Sequence, residues 1–178
     1  DGAVLEIACG TGLVTRRLRQ RLAPGVRLVA SDLSKAMLDY ARDNLRDGAE
    51  VEWREADAMR LPFAGGEFGA VVCGFGLMFV PDKLAALREV RRVLKDGGRF
   101  LFSVWDRIEV IPHAMAGAEV IEAMFPGDAE MRFRVPYELH DQQQLLRLLA
   151  DAGFRDARSE RRQHWIDGIS ARDLATGQ

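Results

Sequence analysis

The sequence predicts a doubly wound α/β domain built on a mostly parallel sheet. Short apolar runs alternate with amphipathic stretches from residue 4 to residue 105, at the pitch of repeated strand–helix–strand units. A turn with two glycines, "ACGTGL", joins the first run to the first amphipathic stretch. Asp32 and Asp57 fall just past the second and third runs, at the carboxyl ends where such a sheet takes its ligand. Crossovers of this kind are right-handed and place helices on both faces.

Each element has its own signal. Val4 to Ala8 reads as a buried parallel strand, and Thr11 to Leu22 as a helix with Leu13, Val14, Leu18 and Leu22 inward. Pro24-Gly25 ends it. "VRLVAS" is the second strand, and Ser34 caps a helix whose Met37, Leu38, Ala41 and Leu45 share a face. "AEVEWREA" is the third strand and "FGAVVC" the fourth. Pro81 to Leu94 follows as a helix with Leu84, Leu87, Val90, Val93 and Leu94 inward, stopped by Gly97-Gly98. "RFLFSV" is the fifth strand.

The regular alternation ends at Trp105. A helix is expected from Ala114 to Phe125, between Pro112 and Pro126-Gly127, in a segment without a place in the sheet. Asp141 and Gln144 form a capping box for a helix bearing Leu145, Leu146 and Leu149. "FRDARSERRQHW" reads as a strand of poor alternation near a sheet edge, and "IDGISARDLATGQ" as a helix approach. The expected organisation is one domain: a core at 3–106, a cap at 107–140, and a helix with an edge strand at 141–178. A core strand three residues from the start implies that leading residues are missing.

Size and charge narrow the function classes. A chain of 178 residues with 48% apolar and 29% charged residues buries its own core without disulfide or metal. A net charge of −2 offers no field for nucleic acid or an anionic membrane. The basic run "RDARSERRQ" lacks interleaved aromatics and reads as a solvated face. Cys9 and Cys73 lack zinc or disulfide-framework spacing, which implies a reducing cytoplasm, and no run is long enough to span a bilayer. No metal site is expected.

The strand ends carry the chemistry. Gly10 and Gly12 let the backbone approach a ligand closely. The turn is not GxGxxG, because one residue separates the glycines and Thr15 stands where a third would be, so a diphosphate is poorly provided for. Glu6 lies inside an apolar strand, where a carboxylate is costly without a partner and a cationic ligand would supply one. Asp32, twenty-two residues past Gly10, sits at the spacing of an acid that accepts from both ribose hydroxyls. Asp57, with Ala58 and Met59 beside it, suits the exocyclic amine of a flat ring.

In order, "LEIACGTG", "ASDLSKAML", "READAMRLPF", "FGAVVCGFGLMFVPD" and "RVLKDGGRFLFSVWD" closely resemble class I methyltransferases that use S-adenosylmethionine. Within them the chain resembles the small-molecule branch typified by quinone-biosynthesis C-methyltransferases. The resemblance covers residues 3 to 106 and implies a Rossmann-like sheet of order 3-2-1-4-5-(7)-6, with a small helical cap after strand 5. The family usually has (D/E)-x-G-x-G-x-G in the first loop; Glu6, Gly10 and Gly12 match, and Ala8 replaces the first glycine. The resemblance implies that Ala8, Cys9, Gly10 and Gly12 wrap the methionine part, with Glu6 near its ammonium or the loop backbone. It further implies that Asp32 holds the ribose, Leu33 and Ala58 sandwich the adenine with Met37 and Met59 nearby, Asp57 accepts from its amine, and Cys73 faces the methionine through its backbone. The family's antiparallel seventh strand is not assignable here; only six strands are, so the C-terminus too is expected to be incomplete.

Methyl transfer from a sulfonium is an in-line displacement in which alignment supplies most of the rate. A base is needed only if the acceptor must lose a proton. His113, Tyr137, His140 and Asp106 are candidates, each with an ordinary surface or capping role as the competing explanation. "GFGLMF" follows the fourth strand beside the expected methyl, so Gly74, Phe75, Leu77 and Met78, with Trp105, are candidate acceptor-lining residues. The Asn/Asp-Pro-Pro-aromatic and Pro-Cys motifs of nucleic-acid enzymes with this fold are absent, which favours a small apolar or aromatic acceptor. Two alternatives stay open at this level: a nicotinamide-dependent oxidoreductase using Asp32, and a cofactor-holding module without chemistry. Assembly is not readable, and a homodimer is among the states the sequence allows.

Overall fold

The computed structural model describes residues 2–45, 50–127 and 133–164. Five strands form one sheet: β1 (Ala3–Glu6), β2 (Leu28–Asp32), β3 (Glu52–Glu55), β4 (Phe68–Gly74) and β5 (Leu94–Ser103). Their order is β3-β2-β1-β4-β5, and every neighbouring pair is parallel. The direction of winding reverses between β1 and β4. Their carboxyl ends therefore flank the crevice in which an open α/β sheet takes its ligand.

The apolar runs of β1, β2 and β4 are buried because helices cover both faces. Val29 joins the large core with Leu5, Phe68 and Val71, whereas its neighbour Ala30 packs with Leu38 and Cys9 in a second cluster. Successive strand residues point to opposite faces, so the two clusters are the two sides of the sheet. On the larger side, α3 (Lys83–Val93) buries Ala86, Leu87, Val90 and Val93, and α5 (Gln142–Asp151) buries Leu145 and Leu149. Asp82 caps α3 by accepting from the Ala85 N–H, and Asp141 caps α5 by accepting from that of Gln143. On the other side, α2 (Lys35–Asn44) buries Leu38 and Ala41 and is capped by Ser34, as expected.

Several expectations need correction. Helix α1 (Leu13–Arg21) begins after a left-handed Gly12, which turns the chain so that Leu13 is 69% exposed and Thr15 faces inward. Gly97 and Gly98 do not stop α3; the helix ends at Val93, and residues 95–98 bulge from β5 between Leu94, paired with Phe68, and Arg99, paired with Ala70. The expected edge strand at 154–165 is not formed over 154–164, which run as exposed irregular chain. Its charged side chains offer no apolar face to bury, so nothing fixes a register. Residues 165–178, including the expected helix approach, lie outside the described residues.

After β5 the chain forms α4 (Pro112–Met124), close to the expected helix. Ile108, Ala114 and Ala118 form their own small core with Ile111, Met115, Phe133 and Tyr137 around it.

Candidate functional site

The loop between β1 and α1 passes three residues through the left-handed region: Ala8 at φ +50, Gly10 at +54 and Gly12 at +80. Glycine adopts this freely; alanine pays about 1–2 kcal/mol. Ala8 thus reproduces the backbone expected of the glycine it replaces. The loop is pinned on both sides: Ile7 N–H donates to the Val72 carbonyl, and Cys9 N–H to that of Ser31. No side chain blocks Gly10, where an added Cβ would meet nothing within 4 Å.

Asp32 ends β2 and reaches back to this loop. Its Oδ2 accepts from the Gly10 N–H at 2.8 Å, and its Oδ1 from the Ser34 N–H at 2.8 Å. Both oxygens keep a free lone pair, so the carboxylate can fix the loop and still accept from two hydroxyls. Leu33, 70% exposed, and Met37, 44% exposed, follow it in the chain. Asp57 spends Oδ1 on the Met59 N–H at 2.8 Å, in a turn closed by Arg60 N–H donating to the Asp57 carbonyl. Ala58 and Met59 are half-buried at that turn.

Glu6 lies under the loop and is 1% exposed. Its Oε2 has no hydrogen-bond partner, nor has Thr15 Oγ1. Burial pushes the Glu6 carboxyl up to about 7, opposed by the Thr15 hydroxyl and reinforced by the Asp32 charge. Burial and the two carboxylates push Cys9 up to about 12, and burial drives Cys73 to about 11. Both thiols are therefore protonated and unsuited to nucleophilic attack.

At the β4 exit, Phe75 takes φ +57 and its N–H donates to the Ser103 carbonyl of β5. Its ring stacks on Trp105, with centroids 4.4 Å apart. Gly74 and Gly76 are small for a reason: a Cβ on Gly74 would lie 2.9 Å from Val14 Cγ2, and one on Gly76 would overlap the Ala8 Cβ. Leu77 and Met78 are buried in a single 3-10 turn and belong to the large core rather than to an open surface.

The base candidates do not converge. His113 is exposed on the first turn of α4, and His140 is exposed with Nδ1 2.8 Å from the Tyr137 carbonyl. Tyr137 is half-buried against the small core of Ile108, Ala114 and Ala118, which raises its hydroxyl. Asp106 is taken by Arg161, whose Nε lies 2.7 Å from its Oδ2, and it also accepts from the Arg107 N–H. No grouping of His, Cys, Asp and Glu suited to a metal occurs among the described residues.

Thr15 and Gly76 were not among the expected site residues. Thr15 is visible only as the occupant of a third-glycine position, and its contact with Glu6 depends on how Gly12 aims α1. Gly76 stands in "GFGLMF", but its partner Ala8 is 68 positions away.

Comparison with known proteins agrees with this geometry. A methyltransferase-domain family model matches residues 4–98, more than half of the chain. The chain belongs to this family, and its sheet is the Rossmann-like sheet of class I methyltransferases. The demethylmenaquinone methyltransferase of Lactococcus lactis is 39% identical over 54% of this chain and 39% of its own length. The ubiquinone/menaquinone biosynthesis C-methyltransferase UbiE of Ectopseudomonas mendocina is 35% identical over 85% of this chain and 64% of its own. A SAM-dependent methyltransferase structure from Aquifex aeolicus superposes with a TM-score of 0.68 over 88% of this chain and 74% of that one; at 19% identity it speaks for the fold alone. The chain spans about two fifths of the length of the first relatives it matches. Neither the nicotinamide enzyme nor the module without chemistry is favoured by these matches.

Proposed function

We propose that this chain is the cofactor-binding core of a methyltransferase that moves a methyl group from S-adenosylmethionine to a small apolar or aromatic acceptor. The observation that carries it is the Asp32 carboxylate bonded to Gly10 N–H at the switch point, above a buried Glu6 without a partner. Two carboxylates and a short open loop suit a ligand with a ribose and a positive charge, and suit a diphosphate poorly. The names of the quinone-biosynthesis relatives support the acceptor class.

When bound, this cofactor supplies a methyl already activated on a sulfonium. The chain's own contribution is placement. Asp32 would hold the ribose and Ala8, Cys9, Gly10 and Gly12 the methionine part, with Cys73 offering backbone beside it. Leu33, Met37, Ala58 and Met59 would enclose the adenine, with Asp57 Oδ2 free to accept from its amine. Phe75, Gly74 and Trp105 would line the acceptor side, while buried Leu77 and Met78 support that wall from below. Burial of the reacting centre and alignment together can supply several kcal/mol. None of His113, Tyr137, His140 or Asp106 is needed for an acceptor that enters already deprotonated.

We place the protein in the cytoplasm, with a small molecule rather than nucleic acid as acceptor and with a homodimer as one available assembly. No helix among the described residues is long and apolar enough to cross a membrane. The test is transfer of label from methyl-tritiated S-adenosylmethionine to a panel of hydroquinones, phenols, aliphatic amines and RNA. Labelled hydroquinones or phenols support the reading. Labelling of RNA alone, or of nothing while the cofactor is bound, refutes it.

A further inference from the structure

Among the described residues one buried carboxyl, that of Glu6, keeps an oxygen that no hydrogen bond satisfies. Glu6 Oε2 is sealed from water without a hydrogen-bond partner, and the neighbouring Thr15 Oγ1 is equally unpaired. A buried acceptor in that state costs about 1–3 kcal/mol, so it either carries a proton or awaits a partner. The groups that bear on it are Thr15 from α1, Asp32 from the end of β2, Cys9 from the loop and Cys73 from β4. None is cationic. Asp32 is an anion, Thr15 is neutral, and both thiols are protonated. Among the described residues only the Thr15 hydroxyl favours the ionised form of Glu6, against the larger effect of burial, and the loop between β1 and α1 is open at Gly10.

We infer that Glu6 is a positioning residue that carries a proton in the free protein and releases it when the cationic cofactor settles on the loop between β1 and α1. The inference rests on the proposed cofactor and deepens it. The sign follows from electrostatics in a site with little water. A positive charge placed over the loop stabilises the carboxylate and not the neutral acid, so binding lowers the proton affinity of Glu6. By linkage, the proton lost on binding makes binding tighter as pH rises. With the free carboxyl near 7, the contribution of Glu6 is complete above about pH 8 and shrinks as pH falls. Affinity for S-adenosylmethionine is then roughly tenfold weaker at pH 6 than at pH 8. S-adenosylhomocysteine lacks the sulfonium charge and should release a smaller fraction of a proton.

The test is calorimetric titration of the whole chain with S-adenosylmethionine at pH 6, 7 and 8, each in two buffers of different ionisation enthalpy. The protons exchanged follow from the dependence of the heat on the buffer. Wild type is compared with Glu6→Gln, which mimics the protonated acid in shape and cannot ionise. The cofactor's own amine contributes equally to both proteins, so the difference between them is the readout. The inference expects proton release in wild type, greatest at pH 6, and a roughly tenfold dependence of affinity on pH that E6Q lacks. Equal proton counts and equal pH dependence in the two proteins would overturn it. As a check that does not depend on the variant, the carbon-13 carboxyl signal of Glu6 should titrate near neutral pH in the free protein and lose that transition with cofactor bound. A Glu6 signal ionised throughout in the free protein also overturns it. Failure of either ligand to bind at any pH contradicts the cofactor reading itself, a separate result.

Discussion

Ala8 and Gly76 meet across the carboxyl ends of β1 and β4, so closely that the methyl of one occupies the space a methyl on the other would need. A Cβ on Gly76 would overlap the Ala8 Cβ and lie 3.1 Å from Cys73 Sγ. Ala8 accepts a left-handed backbone to sit there. The loop over the cofactor site and the β4 exit that leads to Phe75 are thus wedged together. Gly76→Ala should cost about 1–3 kcal/mol of stability and weaken cofactor binding. Pairing it with Ala8→Gly should return most of that, a coupling of about 1–2 kcal/mol in a double-mutant cycle by urea unfolding. Strictly additive losses would show that the two residues do not press on each other.

Glu6 sets a pH signature on stability without any ligand. Its carboxyl is raised in the folded state, so the folded chain binds the proton more tightly than the unfolded chain. Stability should therefore fall as pH rises from about 4.5 to about 7 and then level off. Glu6→Gln removes that fall. At pH 8 the variant should be more stable than wild type by on the order of 2–3 kcal/mol, and at pH 4.5 little different. Thermal unfolding of both proteins at the two pH values measures this. A variant less stable at pH 8 would mean that the ionised carboxylate is satisfied in the free fold.

Phe75 combines a strained backbone with a favourable stack. Replacing it by glycine relieves about 1–2 kcal/mol of left-handed strain, but forfeits about 0.5–1.5 kcal/mol of stacking on Trp105 and the apolar area that the 40% exposed ring buries. Phe75→Gly should accordingly cost about 1–3 kcal/mol, set mainly by that lost burial. Phe75→Val loses the stack and keeps a branched residue where φ is positive, so it should fall well below wild type. Urea midpoints rank the three. Equal losses in Gly and Val would mean that the ring, and not the backbone, decides the matter.

Arg161 tests the irregular character of residues 154–164. Its bond to Asp106 is an exposed ion pair, of the kind that contributes less than about 1 kcal/mol. Arg161→Pro removes that pair and one N–H, and in irregular chain should cost no more than this. A loss of several kcal/mol would indicate that the segment pairs in a sheet.

Much of this architecture was legible because the same residues carry pattern and burial. Leu5, Val29 and Val71 sit in mostly apolar runs, which in a parallel sheet covered on both faces read as strands. Asp32 was legible through its distance from Gly10, and the structure joins the two by a hydrogen bond. Contacts set by small backbone rotations were not. Leu13 was expected inward, yet the left-handed Gly12 turns it out and brings Thr15 onto Glu6. Gly97-Gly98 reads as a helix stop but serves as a bulge within β5, because Leu94 pairs with Phe68 before the glycines arrive. The segment at 154–164 carries some apolar spacing but too much charge to bury a face, and strand pairing needs a partner that periodicity does not reveal. Asp106 stands free at a strand end in the sequence, and only the fold brings Arg161, 55 positions on, against it.

The most direct test of the central claim is calorimetric titration of the chain with S-adenosylmethionine, S-adenosylhomocysteine and NAD at pH 8, repeated with Asp32→Ala and Asp32→Asn. Asp32 also holds the Gly10 and Ser34 N–H groups, and asparagine keeps one acceptor oxygen for them. The account predicts that both sulfur ligands bind and NAD does not. It predicts losses of about 1.5–3 kcal/mol in binding for alanine and a smaller loss for asparagine. Binding of NAD in place of S-adenosylmethionine, or S-adenosylmethionine binding that ignores Asp32→Ala, would contradict it.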